Sequence, residues 1–238
     1  NAGVALVEEP VCVLINPDAE LVDGSLADLG GELLAAGAPA RILAPAVLSP
    51  DGTRQDTAHL DPGSGLHLLR ALVPPAALPG RLRTIVDPWR AESSRRVGWA
   101  VGACLVARTD TLRGLGPFDE RIFMYAEDMD LGLRAAAAGV ETVFRPDARV
   151  VHQDAHSTAV AFGGEPFELL ERQRRAVIGE HRGADAVRRH DRVWLLTYAN
   201  RIALKTLTRR PTERERRQLA ALWRLRDEPA RLAAPSES

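Results

Sequence analysis

A short segment in the middle of the chain holds most of the side chains that could carry out acid–base chemistry. The segment from Gly116 to His152 begins with five carboxylates within twelve positions, and aromatic side chains lie among them. Carboxylates beside bulky apolar groups are costly to hold unless they have a partner or a task, so we predict chemistry here. The carboxylates are Asp119, Glu120, Glu127, Asp128 and Asp130, and the aromatic residues are Phe118, Phe123 and Tyr125.

Glu127 and Asp128 stand at the start of a predicted helix, Glu127–Ala138, and two interpretations are open for them. Acidic residues in a first turn favour the helix dipole by about 0.3–1 kcal/mol each, so capping alone explains such a pair. Alternatively, a carboxylate that a neighbour such as Tyr125 partly desolvates has a raised pKa and can act as a general base. Asp130 is turned away from Asp128 on a helix, and we interpret it as solvated or structural.

A second group of candidates follows the first strong strand signal. The apolar run Val11–Ile15 predicts a strand that is buried on both faces, as in a parallel sheet, and Asn16 and Asp18 come directly after it. Ligands of open α/β sheets bind beyond the carboxyl ends of the strands, where one carboxylate can share Mg²⁺ or Mn²⁺ with phosphate oxygens. The same residues also form common turns, in which Asp18 would accept hydrogen bonds from local amides.

His152 ends a predicted strand, Arg149–His152, and is the histidine with the most informative position. A neutral imidazole at a strand end is a suitable ligand for Mn²⁺, although a lone histidine is more often a satisfied structural residue. His156 follows in a predicted loop and is a weaker candidate. The remaining histidines lie in surface-like contexts and receive no role: His59, His67, His181 and His190.

Small residues and a tryptophan form a third candidate group within a predicted strand, Trp99–Ala107. Gly102 and Ala103 would permit a substrate or another backbone to approach closely. Trp99 could stack on a sugar face or could belong to the core. The glycine signatures of dinucleotide-binding, P-loop and serine-hydrolase sites are absent from the sequence, so those classes have no support.

Composition places the chain among soluble globular proteins, with 238 residues, 45% hydrophobic and 26% charged. Residues 1–162 carry a net charge of −7, whereas residues 163–238 carry +6. Cys12 and Cys104 lie in apolar runs without metal-binding spacing, which favours buried thiols in a reducing compartment. We find neither a signal peptide nor a bilayer-length apolar run, and we expect a cytoplasmic chain.

Strands and helices alternate at first, and Arg-rich helices follow, which predicts an α/β sheet domain and a helical extension. We place the domain at residues 1–160, the basic extension at 161–228 and a flexible tail at 229–238. Thr212 and Glu215 have the spacing of a capping box. The predicted helices of the extension are Glu165–Glu180, Ala184–Thr208 and Thr212–Arg226.

The basic helices allow two interpretations. The helices could lie on an anionic lipid surface at the inner face of the plasma membrane. Their arginines would then face the lipid together with the apolar residues opposite them, which are Trp194, Leu195, Leu196 and Leu204. The helices could instead pack on the catalytic domain with solvated charged faces.

Taken in order, these elements resemble family 2 glycosyltransferases, in particular the rhamnosyltransferase-like branch that builds bacterial cell-surface polysaccharides. The resemblance covers about Asn1 to Ser157. It implies a GT-A fold, which is a Rossmann-like mixed sheet with flanking helices. The matching text is NAGVALVEEPVCVLINPDAEL, SPDGTRQ, VGWAVGACLVAR, GPFDERIFMYAEDMDLGLRAAAAGV and PDARVVHQDAHS.

The resemblance also implies roles for the candidate residues. Family members typically use Mg²⁺ or Mn²⁺ and invert the anomeric centre, with the second residue of a Glu-Asp motif as the base. Asn16 holds the place where other members carry a first aspartate. The resulting assignment gives catalysis to Asp128 and Glu127, and metal binding to Asp18 and His152. The acceptor would bind at Trp99 and Tyr125. The donor would bind at Asn16, Asp18, Gly102 and Ala103.

We therefore predict an inverting glycosyltransferase that moves a sugar, with rhamnose as a candidate, from a nucleotide-diphosphate donor to a glycan or lipid-linked acceptor. Nothing indicates a nucleic acid partner. The family normally has about two further strands before the position of Asn1, so we expect a chain truncated at its N-terminus. The alternative is a catalytically impaired remnant that acts as a binding module.

Overall fold

The computed structural model of the chain describes residues 1–116, 118–122, 124–153 and 166–232. The described residues form two compact units. The second unit includes two segments that the prediction placed in the first domain. His156, the predicted domain boundary at residue 160 and the last six residues of the predicted tail lie outside the described residues. The first unit consists of Asn1–Asp61, Asp87–Asp119 and the described part of Glu127–Ser157, and the second of Pro62–Val86, Glu120–Ala126 and the described part of Thr158–Ser238.

Strands and helices alternate in the first unit, as predicted. The strands are β1 (Val11–Ile15), β2 (Ala19–Leu21), β3 (Arg41–Leu48), β4 (Ala58–His59), β5 (Arg95–Val97), β6 (Trp99–Ala100), β7 (Cys104–Arg108) and β8 (Glu141–His152). The helices of the described residues are α1 (Ala2–Leu6), α2 (Ser25–Leu34), α3 (Leu66–Leu72), α4 (Gly80–Val86), α5 (Thr109–Leu115), α6 (Glu127–Ala137), α7 (Phe167–Leu207) and α8 (Glu213–Arg226). Short 3-10 turns occur at Pro75–Ala77 and Pro88–Arg90.

A mixed six-stranded sheet is the centre of the first unit and confirms the predicted α/β class. Its strand order is β1-β7-β3-β8-β2, and β5 pairs with β8 beside this path. The pairing of β3 with β8 is parallel, and the other pairings are antiparallel. A second, two-stranded sheet joins β4 to β6.

Helices cover both faces of the six-stranded sheet. On one face, Leu29 and Leu33 of α2 pack with Leu43 and Val106 of the sheet. On the other face, residues of α5 and α6 pack with alternate residues of β3 and β7. Side chains alternate between the faces of a strand, so adjacent residues of β3 serve the two core layers. The residues of the second layer include Ile42, Ala44, Leu105, Leu112 and Leu131.

The prediction that β1 is buried on both faces in a parallel arrangement is wrong. Strand β1 lies at the end of the strand order and pairs antiparallel with β7. Val13 and Ile15 are each 40% exposed. An apolar β-branched run indicates a strand, but it does not reveal the neighbours of that strand.

Two other strand predictions also need correction. The predicted single strand Trp99–Ala107 is two strands, β6 and β7, separated by residues 101–103. Conversely, the predicted strand Arg149–His152 is only the end of β8, which begins at Glu141 and continues through Pro146 because the residues there form a bulge instead of a turn. Arg145 lies opposite Pro45 and Arg149 lies opposite Ala46, so three residues of β8 are inserted into the ladder.

The two cysteines are buried and free, as the sequence predicted. Burial raises the pKa of the Cys104 thiol to about 12, which keeps it protonated and unreactive at neutral pH.

The second unit contains the long helices predicted from the sequence. Helix α7 is interrupted at Gly183, where φ is 77° and ψ is 176°, a conformation that only glycine adopts readily. The two halves agree with the predicted helices, and α8 agrees with the third. No helix in the described part of the chain has the length and apolarity needed to cross a membrane.

Buried ion pairs join the two halves of α7. Arg175, which is 3% exposed, donates from Nε to Asp191 Oδ1 at 2.9 Å. Glu171, which is fully buried, lies 3.1 Å from His190 Nε2. Burial opposes ionisation of Glu171, but His190 and Arg174 together lower its pKa. The expectation of a surface-like His190 is therefore wrong.

The predicted capping box at the start of α8 does not form. Thr212 is the residue before the helix, but its side chain makes no capping hydrogen bond. Its hydroxyl instead accepts a hydrogen bond from Arg216 Nε at 3.0 Å, and Glu215 pairs with Lys205 at 2.6 Å. The longer-range ion pair thus replaces the local cap.

Helix α6 approaches β6 so closely that only glycine fits at the contact. A Cβ atom on Gly132 would lie 2.5 Å from Trp99 Cβ and 3.0 Å from Trp99 Cα. We expect Gly132→Ala to lower the free energy of unfolding by about 1–3 kcal/mol, because the helix must shift away from the strand. Urea unfolding followed by circular dichroism measures this change.

Gly31→Ala is the matched control, since Gly31 lies in helix α2 with nothing within 4 Å of its added Cβ. Alanine is the better helix former by about 1 kcal/mol, so this variant should be neutral or more stable. Equal stability of the two variants would contradict close packing of α6 on β6.

Candidate active site

Asn16, Asp18 and His152 meet at one end of the sheet, where β2 pairs with β8. Ala19 lies opposite His152 in this pairing. Asp18 Oδ1 lies 3.0 Å from His152 Nε2, and Asn16 Nδ2 lies 3.3 Å from the same nitrogen. The Asp18 carbonyl also accepts a hydrogen bond from the Gln153 amide at 3.1 Å. Backbone pairing therefore positions three residues that are far apart in the sequence.

Gln55 is a member of this group that sequence reasoning missed. Its Nε2 donates to the His152 carbonyl at 3.0 Å, and its Oε1 lies 3.3 Å from His152 Nδ1. Its backbone amide donates to the Val47 carbonyl, which holds Gln55 beside the end of β3. Because β3 runs parallel to β8, a polar residue just after β3 had to lie near His152, and this signal could have identified it.

These contacts determine which imidazole nitrogen carries a proton. A carbonyl only accepts, so Gln55 Nε2 must donate to it and Gln55 Oε1 must face the ring. His152 Nδ1 therefore donates to Gln55. In the neutral ring Nε2 then carries a lone pair, which accepts from the Asn16 side-chain amide nitrogen at 3.3 Å and also faces a second acceptor, Asp18 Oδ1, at 3.0 Å. Two acceptors at this distance need a proton or a cation between them.

The donor set fits a divalent cation. A carboxylate, an imidazole nitrogen and an amide are suitable ligands for Mn²⁺, and Mg²⁺ is commonly held by one carboxylate together with substrate phosphates. Within the described residues no three His, Cys, Asp or Glu side chains group closely enough to hold a metal. Asp18 and His152 offer two ligand groups, which is fewer than a self-contained metal site needs.

Asp128 is linked to this group through the segment between β6 and β7. The Gly102 amide donates to Asp128 Oδ2 at 3.1 Å. The next residue, Ala103, accepts a hydrogen bond at its carbonyl from the Asn16 amide at 3.0 Å. An added Cβ on Gly102 would lie 3.7 Å from Asp128 Cβ, which is ordinary van der Waals contact, so the backbone hydrogen bond and not the missing side chain links Gly102 to Asp128. One continuous series of contacts thus joins Asp128 to Asn16 and, through Asn16, to His152.

Glu127 has a desolvated carboxylate. Its Oε2 is buried and makes no hydrogen bond with the described residues. Burial, followed by the negative charge of Asp128, raises the pKa of Glu127. Asp130 is structural rather than solvated, because it is 3% exposed and pairs with Arg134 at 2.8 Å.

The two aromatic candidates for acceptor binding have different environments. Trp99 is 6% exposed and its ring stacks on His59 with centroids 4.1 Å apart, so the core interpretation replaces the acceptor assignment and His59 is not surface-like. Tyr125 belongs to the second unit, and its hydroxyl is buried without a hydrogen bond to a described residue.

Strained backbone directly precedes Glu127 and Asp128. Tyr125 has φ of 66° and Ala126 has φ of 67°, values that are unfavourable for residues other than glycine. Such strain costs about 1–3 kcal/mol per residue and is concentrated at functional sites. The start of α6 is therefore a candidate functional position.

Comparisons with known proteins identify the family of the chain. Residues 82–210, more than half of the chain, match the family described as glycosyl transferase family group 2. The N-acetylglucosaminyl-diphospho-decaprenol L-rhamnosyltransferase of Mycobacterium tuberculosis is 38% identical over 165 residues, which are 66% of this chain and 51% of that protein. The rhamnosyltransferase WbbL of Escherichia coli K12 is 33% identical over 66 residues, which are 28% of this chain and 25% of that protein.

The chain spans about half the length of the mycobacterial relatives that it matches. The match to residues 82–210 covers the α6 segment with its Glu-Asp pair and strand β8 with His152. The predicted resemblance is confirmed, and the chain belongs to glycosyltransferase family 2.

Proposed function

We propose that this chain is an inverting glycosyltransferase that moves a sugar from a nucleotide-diphosphate donor to a glycan or lipid-linked acceptor in cell-surface polysaccharide synthesis. Rhamnose is the favoured sugar, because relatives from two bacteria are named as rhamnosyltransferases. The observation that carries the proposal is the series of contacts that joins Asp128 to the Asp18–His152 pair. In this arrangement the Asp128 carboxylate would accept a proton, and the Asp18–His152 pair would bind the diphosphate of the donor.

Asp128 is the general base of the proposed reaction. The acceptor hydroxyl attacks the anomeric carbon from the side opposite the diphosphate, and Asp128 takes its proton. A single in-line displacement inverts the configuration and needs no second carboxylate as nucleophile. The amides of Gly102 and Met129 hold the two carboxylate oxygens at 3.1 Å and 2.7 Å, which orients the base before the acceptor binds.

Asp18, His152 and Asn16 would hold Mg²⁺ or Mn²⁺. Bound there, the cation supplies positive charge that stabilises the departing diphosphate. Gln55 orients His152 by accepting from its Nδ1, so that Nε2 and Asp18 face the same point. Gly102 is partly exposed and would permit the donor to approach the backbone, whereas Ala103 is 1% exposed and contributes only the carbonyl that holds Asn16.

The acceptor is a glycan or a lipid-linked saccharide. A decaprenol-linked acceptor stands in the name of the mycobacterial relatives, and we extend the lipid-linked class to this chain as part of the proposal. Contact with a membrane is a separate proposal, because it depends on the surface of the second unit and not on Asp128.

Asp128→Asn should reduce sugar transfer by about 10²–10⁴-fold, because the amide cannot accept the proton while the size of the side chain is unchanged. Transfer from dTDP-rhamnose to an N-acetylglucosaminyl-diphospho-prenol measures this loss, and calorimetry with dTDP measures whether the donor site survives.

Asp110→Asn is the matched control, since Asp110 also stands in the first turn of a helix but pairs with Arg108 on the surface. It should transfer sugar at the wild-type rate. Near-normal turnover of Asp128→Asn would remove Asp128 as the base. Absence of both transfer and dTDP binding in the wild-type chain would instead favour the binding-module alternative.

Gln55→Ala should weaken Mn²⁺ binding by about 10–100-fold, because a residue that fixes a histidine ligand typically has this effect. Asp18→Asn, which removes the carboxylate itself, should weaken it at least as much. Electron paramagnetic resonance of free Mn²⁺ in the presence of dTDP measures the affinity without a transfer assay.

Asp23→Asn is the control for charge, because Asp23 is a nearby exposed acid that accepts hydrogen bonds only from Ser25. Unchanged Mn²⁺ affinity in Asp18→Asn would place the cation elsewhere. An equal loss of Mn²⁺ affinity in Asp23→Asn and Asp18→Asn would show that the cation responds to the net negative charge and not to Asp18 as a ligand.

Glu127→Gln should become more stable relative to the wild type as the pH rises. The pKa of folded Glu127 lies above its ordinary value of 4.5, so the folded wild type binds the extra proton and loses stability as the pH rises through this range. The glutamine variant has no such loss. Urea unfolding at a series of pH values measures the difference.

Glu228→Gln is a control of opposite sign. Hydrogen bonds from Arg172 lower the pKa of Glu228, so the wild-type residue gains stability as the pH rises and the variant does not. The same slope in both variants would contradict a desolvated Glu127.

A further inference from the structure

The end of α7 and the whole of α8 form a strongly cationic part of the second unit. Residues 192–226 contain ten basic and two acidic residues, a net charge of +8. One of the two acids, Glu215, is already paired with Lys205. Among the described residues, several arginines of this part have no carboxylate partner: Arg209, Arg210, Arg216 and Arg217. This concentration of unpaired charge requires an anionic partner or remains solvated.

An apolar groove runs between α7 and α8 within the same part. Its volume is about 460 Å³. The residues that line the groove recur at intervals of three and four along both helices, so each helix presents one apolar stripe. Arg216 lies at the edge of the groove. The apolar lining consists of Ala199, Ile202, Ala203, Leu219, Ala220 and Trp223.

Large apolar side chains in this part of the second unit are exposed, and Trp223 is the one that lines the groove. Trp223 is 49% exposed and Leu207, on the last turn of α7, is 82% exposed. The guanidinium carbon of Arg226 lies 4.4 Å from the centroid of the Trp223 ring. A half-exposed tryptophan with an arginine beside it is typical of side chains that lie at the boundary between lipid headgroups and acyl chains.

We propose that the groove and the arginines around it bind the surface of an anionic lipid bilayer. The apolar stripe and Trp223 would enter the headgroup region, while Arg209, Arg210 and Arg217 contact lipid phosphates. Charge complementarity selects the occupant, because a segment of net charge +8 with several arginines that lack a carboxylate partner favours an anionic partner, and an apolar groove favours an apolar one. A polyanion such as nucleic acid would satisfy the arginines and leave the leucine and the groove in water.

The surface differs from the one expected from the sequence alone. Trp194 stacks on Tyr198, with ring centroids 5.8 Å apart, instead of facing solvent with the leucines beside it. Trp223, which the sequence reasoning did not select, takes the exposed position. The proposal is also independent of sugar transfer, since none of these residues belongs to the candidate active site.

Co-sedimentation of the 238-residue chain with vesicles tests the proposal. The chain should bind vesicles that contain phosphatidylglycerol and should not bind pure phosphatidylcholine. Arg209→Gln, Arg210→Gln and Arg217→Gln together should reduce the partition coefficient by about 10–100-fold, since each basic residue near an anionic surface has a measurable share of the binding. Trp223→Gln should reduce it by about 5–10-fold without changing the charge.

The matched control is a triple variant with Arg81→Gln, Arg189→Gln and Arg231→Gln. These arginines are exposed and lie outside residues 192–226, so the control removes the same charge and should bind as the wild type does. Thermal melting of every variant checks that the fold is retained, and all the substituted side chains are exposed.

Three results would overturn the proposal. The first is equal partition onto neutral and anionic vesicles, or none onto either. The second is an equal loss of vesicle binding in the control triple variant, which would show that binding depends on the net charge of the chain and not on these arginines. The third is unchanged binding of Trp223→Gln, which would show that the apolar groove does not enter the bilayer and would favour a soluble polyanion.

Discussion

The pairing of β2 with β8 is the constraint on which the candidate active site depends. It places Ala19 opposite His152 and so brings Asp18, 134 positions away in the sequence, to within 3.0 Å of the imidazole. A shift of this register by one residue would turn His152 to the other face of the sheet. The chemistry of the site is therefore determined by backbone hydrogen bonds before any side chain takes part.

The bulge in β8 shows how the sheet meets this constraint. Residues 146–148 are inserted between the two halves of the parallel pairing with β3, and this sets the register of Arg149 to His152. Arg145 donates to Asp147 across the bulge and lowers the pKa of that carboxyl group. A proline and an ion pair thus stabilise an irregularity whose consequence appears six residues later, at the imidazole.

Sequence reasoning was most successful where the signal is local. Helix signals gave α6 and both halves of α7, and apolar runs gave the positions of β1 and β7. It failed where the outcome depends on a distant partner. The apolar run of β1 could not show that β1 pairs along one edge only, and Thr212 with Glu215 could not show that Lys205 would take the glutamate.

The candidate residues follow the same division. Asn16, Asp18, Asp128 and His152 were found because the resemblance supplied their order along the chain, whereas composition and spacing left each of them open to a structural interpretation. Gln55 was missed because its role exists only once β3 and β8 lie side by side. Trp99 was assigned to the acceptor because the sequence could not show that Gly132 brings α6 against it.

Charge connects the two proposals. Residues 1–162 carry −7, and neither Asp18 nor His152 contacts a lysine or arginine among the described residues. In the proposed reaction, a diphosphate that approaches this site would meet a carboxylate first, and a divalent cation would reverse the local sign. The positive charge of the chain is instead concentrated in residues 163–238, where the apolar groove of α7 and α8 lies. The arginines are therefore positioned for a different anionic partner from the donor, and a lipid surface is the partner that uses both their charge and the groove.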